Sequence, residues 1–255
     1  MQLRMLSAGS RSVRTARADL RLRNGRIRGR GRDMSKRGAA ARAGASNAEE
    51  LFAADVRRDV EVCGRSLAQP GPSRFAREHA HEPTPTPYFI LEDLFAHLEF
   101  AEDSHLLDVG CGTGRVLAYF ADAGFPGRAT GVELDPDLAR DAASWARGFA
   151  NLSVIEGSVL NVPLAEYTHF YLFNPFDTVV LLDFLARIEA QATRPVTLVH
   201  MSDNGETYYY AGRDGWSLMA EGEFQKHPDA RGRMFAVYEG PQHYSIWRFE
   251  SLAVG

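Results

Sequence analysis

Residues 106–115 constrain this chain more than any other stretch: Leu-Leu-Asp-Val-Gly-Cys-Gly-Thr-Gly-Arg. An apolar run ends in an acid, Asp108, and three glycines then lead into a segment of helical character. At Gly110, Gly112 and Gly114 the backbone can come close to a ligand, because no Cβ stands in the way. The helix that follows offers the unpaired N–H groups of its first turn to a carboxylate or other anion. Such a strand–turn–helix unit belongs to an α/β fold.

The rest of the chain agrees. Apolar runs at 104–109, 129–134, 152–156, 169–173 and 196–200 predict strands. Between them, 114–123, 136–149 and 178–192 predict helices, the second with Asp135 as cap and Pro136 at its first position. This alternation predicts a parallel sheet covered on both faces. Toward the C-terminus, 233–238 and 244–250 alternate in character around Glu239-Gly240-Pro241 and predict an antiparallel hairpin at one sheet edge. The expected fold is therefore α/β, a doubly wound, mostly parallel, Rossmann-like sheet of seven strands with a C-terminal antiparallel hairpin. Ahead of it, 47–67 predicts a helix with Asn47 as N-cap, broken by the Pro/Gly-rich 69–73. An extended Pro/Thr-rich segment, 79–87, follows. Leu91, Leu94, Phe95 and Leu98 then mark one face of a helix over 88–100. The division expected is a tail at 1–46, a helical cap at 47–100 and an α/β domain at 101–255.

Charge separates the tail from the rest. Residues 1–45 hold 13 Arg or Lys against two acids, leaving 16 basic and 31 acidic residues after them. Rich in Arg, Gly, Ala and Ser, the tail has too little apolar surface to offset chain entropy and is expected to be disordered. It reads as an upstream extension before a start at Met34, as a transit peptide, or as a nucleic-acid-binding arm. No apolar run of about 18 residues occurs, so no membrane span is expected. Two cysteines, Cys63 and Cys111, support neither a disulfide framework nor a zinc site, and a cytoplasmic setting is expected. No spaced ligand set for a metal appears.

Asp108-Val109-Gly110-Cys111-Gly112-Thr113-Gly114 resembles motif I of the class I S-adenosylmethionine-dependent methyltransferases. The dinucleotide fingerprint fits worse, because its third glycine falls where this chain has Arg115. The resemblance implies S-adenosylmethionine as cofactor, with Asp108, Gly110, Cys111, Gly112 and Gly114 in its site. Glu133, at the end of the second strand, stands about where a ribose-binding acid is expected, some 20 residues past the glycine turn. Ser158 stands where many members carry an acid for the adenine amino group; its hydroxyl accepts more weakly, and backbone near Val159 is expected to share that contact.

After the fourth strand, Asn174-Pro175-Phe176 resembles the Asn-Pro-Pro-Tyr/Phe motif of methyltransferases acting on amino groups, one proline short. The Asn174 and Pro175 carbonyls are expected to accept the hydrogens of an amine and aim its lone pair at the methyl group. Phe176 is expected to stack on the acceptor or face the sulfonium. Tyr88, His200 and Tyr208-Tyr209-Tyr210 are weaker candidates, as readily explained by packing. The function implied is methyl transfer to an amine of a small molecule or protein. The alternatives are a nucleic-acid methyltransferase aided by residues 1–45 and a non-catalytic S-adenosylmethionine-binding module.

Overall fold

The computed structural model of the chain describes residues 48–68, 74–203, 207–228 and 232–251. The tail at 1–46, the Asn47 cap and the 69–73 break lie outside the described residues.

Two helices come first, α1 (Ala48–Cys63) and α2 (Tyr88–Phe95). Helix α2 stops short of residue 100. Its last turn tightens, with the N–H groups of His97 and Leu98 reaching the carbonyls of Leu94 and Phe95. This sends Phe100 back over Phe95, Phe120 and Phe125. Then β1 (His105–Val109), α3 (Arg115–Ala123), β2 (Arg128–Glu133), α4 (Pro136–Ala146), β3 (Leu152–Glu156), β4 (His169–Phe173), α5 (Thr178–Gln191) and β5 (Val196–Met201) alternate as the sequence predicts. Asp135 caps α4 by accepting from the Asp137 N–H at 2.9 Å. A short α6 (Tyr208–Ala211) precedes β6 (Trp216–Phe224), β7 (Lys226–Pro228), β8 (Met234–Ala236) and β9 (Gln242–Phe249).

Seven strands form one sheet in the order β3-β2-β1-β4-β5-β9-β6. Strands β1 to β5 are parallel, and β9 runs antiparallel to both β5 and β6. The C-terminal pairing departs from expectation in one respect. The strand at 242–249 pairs with β6, which the sequence reading left out, while Met234–Ala236 pairs with β7 in a separate two-stranded ribbon. Residues 216–224 (Trp-Ser-Leu-Met-Ala-Glu-Gly-Glu-Phe) lack clean alternation, and the register slips between Leu218 and Ala220, as at a β-bulge.

The strands β1, β2, β4 and β5 are buried almost throughout, as expected with helices on both faces. One face meets α1, α2 and α3 in a cluster centred on Leu91, Leu94, Phe95, Leu117 and Phe120. The other meets α5 in a cluster that includes Phe170, Leu172, Phe184 and Leu185. Helix α1 is also fixed by a buried ionic network. Arg115, on the first turn of α3, donates Nε and Nη2 to the two carboxylate oxygens of Asp59, at 3.0 and 2.8 Å. Asp59 further accepts from the Leu67 N–H and the Tyr88 hydroxyl. Among the described residues, no helix is long and apolar enough to cross a membrane.

Candidate functional site

In this sheet the chain leaves β1 toward β2 on one side and takes up β4 on the other. In open α/β sheets, ligands bind at the carboxyl ends of the strands beside such a switch point. A cavity of about 560 Å³ lies there. Its walls come from the ends of β1 and β2 (Val109, Gly110, Val132, Glu133), the turns beyond them (Leu134, Asp135, Gly157, Ser158) and the end of β4 (Phe173, Pro175, Phe176).

The glycine turn is shaped by two close approaches. Gly110 has φ +71°, and a Cβ there would meet the Pro175 Cβ at 2.8 Å. Gly114, with φ +93°, lies against the Trp145 ring, again with 2.8 Å of space for a Cβ. The turn is held from outside as well: Trp145 donates its Nε1–H to the Thr113 carbonyl, and the Thr113 hydroxyl donates to the Leu67 carbonyl.

Glu133 is buried and lines the cavity. One carboxylate oxygen accepts from the Gly112 N–H and the other from the Asp135 N–H, both at 2.8 Å. Burial raises its pKa, although those two N–H groups pull the other way. Each oxygen keeps a lone pair for a further donor, as ribose recognition requires. Asp108 lies elsewhere. It faces a smaller cavity, about 30 Å³, with Gly110, Cys111, Gly112 and Thr84 in its walls. One of its oxygens is buried without a partner, and burial lifts its pKa well above the ordinary value, with the Glu133 charge adding to the effect. The Cys111 thiol is buried against Gly131, and its Sγ lies 3.7 Å from the Gly112 carbonyl oxygen.

Ser158 and Val159 line the large cavity. The Ser158 hydroxyl accepts from the Leu160 N–H at 3.3 Å, capping a short 3-10 turn at Val159–Asn161. Leu134, Leu138, Val159 and Leu160 give this end of the cavity an apolar wall suited to a planar base.

Of the three residues expected on the acceptor side, Pro175 and Phe176 line the cavity and Asn174 does not. Asn174 has φ +40°, a left-handed conformation that asparagine tolerates better than most residues. Both backbone carbonyls expected to hold the amine are engaged. Asn174 O lies 2.8 Å from His81 Nδ1, and Pro175 O accepts the His81 N–H at 3.0 Å. The Asn174 side chain makes no hydrogen bond among the described residues.

Of the weaker candidates, His200, Tyr210 and Tyr88 are buried in the core. His200 is buried, its Nδ1 lies 2.9 Å from the Tyr210 hydroxyl, and burial lowers its pKa to about 4. Tyr210 stacks on Trp247, while Tyr208 is exposed. Tyr88 lies under the guanidinium of Arg58.

The sequence reading missed the segment 74–84, which supplies eight residues to the wall, among them Arg74, Glu78, His81 and Glu82. Arg74 is salt-bridged to Asp135 and Asp137. At the other end, Ala80 forms an antiparallel bridge to Phe176. The one available signal is the histidine pair in His79-Ala80-His81, which a left-handed turn at His79, φ +64°, brings to one acid. Both histidines meet Asp177, at 2.7 and 2.8 Å.

Residues 106–196 match the family model described as a methyltransferase domain. None of the curated proteins compared with the chain is similar enough to match. Among solved structures, the chain is similar to a candidate RNA methyltransferase, PH1948, from Pyrococcus horikoshii (16% identity, 77% of this chain and 97% of that one, TM-score 0.51). It is also similar to a protein studied for conversion of a disulfide bond into a thioacetal group during echinomycin biosynthesis (13% identity, 80% and 94%, TM-score 0.52). An RNA methyltransferase from Salinibacter ruber, solved with S-adenosyl-L-homocysteine, shares 21% identity over 68% of this chain and 96% of that one, at TM-score 0.46. The glycine turn and Glu133, which accepts from it, both fall within the residues that match the methyltransferase domain.

Proposed function

We propose that this methyltransferase acts on an amine, carried by a small molecule or a protein. The observation that supports this reading is the charge of the cavity wall. Glu78, Glu82, Glu133 and Asp135 contribute carboxylates, against one guanidinium, Arg74, that is already tied to Asp135 and Asp137. Glu78 and Glu82 form no ion pair among the described residues. A cleft of this sign concentrates cationic acceptors and repels the phosphates of a nucleic acid. The 31 acidic against 16 basic residues after residue 45 act in the same direction.

The cofactor, S-adenosylmethionine, supplies a methyl group on a sulfonium. In this reading Gly110 and Gly112 give it close backbone approach, Glu133 accepts from its ribose, and the wall at Leu134 and Val159 takes its base. Asp108 faces the polar end from the smaller cavity. Pro175 and Phe176 form the wall where acceptor and methyl meet. The Pro175 backbone carbonyl keeps a second lone pair beside its bond from His81, and with the Asn174 carbonyl it holds the amine's hydrogens and orients the amine lone pair.

The test is methylation with methyl-labelled S-adenosylmethionine, offered in parallel the small-molecule amine, protein and RNA fractions of a cell extract. Label in amines, with less in an Asn174→Ala variant of unchanged cofactor affinity, is the expected result. Label confined to RNA, and lost when residues 1–45 are deleted, would overturn the amine reading in favour of nucleic acid. Absence of label from every fraction, in a protein that binds S-adenosylhomocysteine, would overturn it in favour of a binding module.

A further inference from the structure

His81 stands between two acceptors. Its Nδ1 is 2.8 Å from the Asn174 carbonyl oxygen, and its Nε2 is 2.8 Å from Asp177 Oδ1. Neither oxygen can donate: a backbone carbonyl only accepts, and Asp177 is held ionised, its pKa lowered by hydrogen bonds from His81 and then His79. A neutral imidazole carries one N–H and satisfies one of these contacts. The protonated ring carries two and satisfies both. The backbone of the same residue adds a third tie, from its N–H to Pro175 O. His79, two residues earlier and at φ +64°, closes the pattern: its Nδ1 meets Asp177 Oδ2, and its carbonyl accepts the Asp177 N–H at 3.0 Å.

Two walls of the cofactor cavity depend on this junction. His81 itself lines the cavity, with Glu82, Pro83 and Thr84 following it, and Pro175 and Phe176 line the opposite side of the same seam. Pro175 in turn limits the space above Gly110. We propose that protonated His81 is a positioning residue for cofactor binding: by donating to Asn174 and Asp177 together it seats the 79–84 segment on the loop after β4 and fixes the wall beside the glycine turn. The proposal rests on the assignment of the large cavity to S-adenosylmethionine.

Cofactor affinity is then linked to the proton on His81. Loss of that proton gives up one of the two contacts, the seam loosens, and affinity falls as pH rises. Other charged groups are near. Asp177, His79, Glu78 and Glu82 flank the ring along the seam, and Arg74, Glu133 and Asp135 line the same cavity. His79 shares Asp177 with His81, so wild type and the His81 variant are also compared in a His79→Gln background, which leaves the imidazole at 81 as the difference between the two.

The experiment is calorimetric titration of the full chain with S-adenosylhomocysteine at about pH 5.5 and about pH 8. Wild type and His81→Gln are compared, with thermal melts to show that both are folded. Glutamine keeps one donor and does not titrate. At the lower pH, wild type is expected to bind about threefold tighter than the variant, the size of a partly exposed ionic hydrogen bond. At the higher pH the two converge. Asp177→Asn, which removes the charge that the protonated ring faces, is expected to lose the same pH-dependent advantage and serves in place of His81→Gln should that variant not fold. An affinity ratio that is the same at both pH values, or no difference at either, would overturn the proposal and leave His81 a structural contact. Failure of wild type to bind S-adenosylhomocysteine at either pH would instead remove the cofactor assignment beneath it.

Discussion

Gly110 sits beneath Pro175 with 2.8 Å between the proline Cβ and the place a glycine Cβ would occupy. The glycine turn and the Asn-Pro turn, 65 residues apart in sequence, are thus one surface.

Gly110→Ala tests that contact. An L-residue at φ +71° is strained by about 1–2 kcal/mol, and the added methyl must also displace Pro175. Urea unfolding should show a loss of at least this size. Calorimetric titration should show S-adenosylhomocysteine affinity falling about tenfold or more, the equivalent of about 1.4 kcal/mol. Full affinity in the folded variant would mean that the cofactor does not use this wall.

Glu133→Gln leaves one acceptor oxygen where two backbone N–H groups, from Gly112 and Asp135, now find one each. The glutamine NH₂ must face one of them, donor against donor. A lost charged hydrogen bond to a ribose hydroxyl is worth about 1.5–3 kcal/mol, so cofactor affinity should drop by one to two orders of magnitude. Unchanged affinity would detach Glu133 from the cofactor.

Arg115→Met leaves Asp59 buried without its bidentate partner. Breaking one side of a buried pair costs about 3–5 kcal/mol, whereas replacing both sides with apolar groups is often neutral. Denaturant melts should therefore show a large loss for Arg115→Met and substantial recovery in Arg115→Met/Asp59→Leu. Equal loss in both would assign the destabilisation to the Tyr88 hydroxyl and Leu67 N–H that Asp59 also receives.

Asp55 carries a pH dependence. Burial raises its pKa from 3.8 to about 6, outweighing the attraction of Arg115. A carboxyl with a folded value above its unfolded one binds its proton more tightly in the folded state. Its ionisation therefore opposes folding above about pH 6, and the cost disappears as pH falls toward 3.8. Asparagine imitates the protonated form. Thermal melts should show Asp55→Asn gaining on wild type as pH rises through about 6, and matching it near pH 4. A constant difference across that range would show that Asp55 titrates as an ordinary surface acid.

The centre of the parallel sheet was legible in sequence because β1, β2, β4 and β5 are buried on both faces and read as apolar runs. The glycine turn was equally plain: Gly110 and Gly114 take positive φ, and such local geometry leaves its mark on neighbouring residues. Strand β6 was not legible, since Ser217, Glu221 and Glu223 sit among apolar residues on an exposed edge with a bulge. The roof of the cavity was hidden for another reason. Arg74 meets Asp135 across 61 residues and His81 meets Asp177 across 96, and no local pattern records which charge will find which partner over such separations. The use of the Asn174 and Pro175 carbonyls by His81 escaped notice on the same ground.

The sheet order also dictates a sequence of events during folding. Strand β6 has no neighbour except β9, and β9 is inserted between β6 and β5. A ribosome delivers 216–224 before 242–249, so the nascent chain holds β1 to β5 ready while β6 waits without a ladder to join. Closing it waits for β9, whether β9 pairs first with β6 as a hairpin or first with β5, and the β5–β9 pairing is the non-local kind of step that loop-closure entropy slows. Until that moment the edge of β5 is open to any other strand, and a chaperone that shields Val196–Met201 would act at the point of greatest hazard.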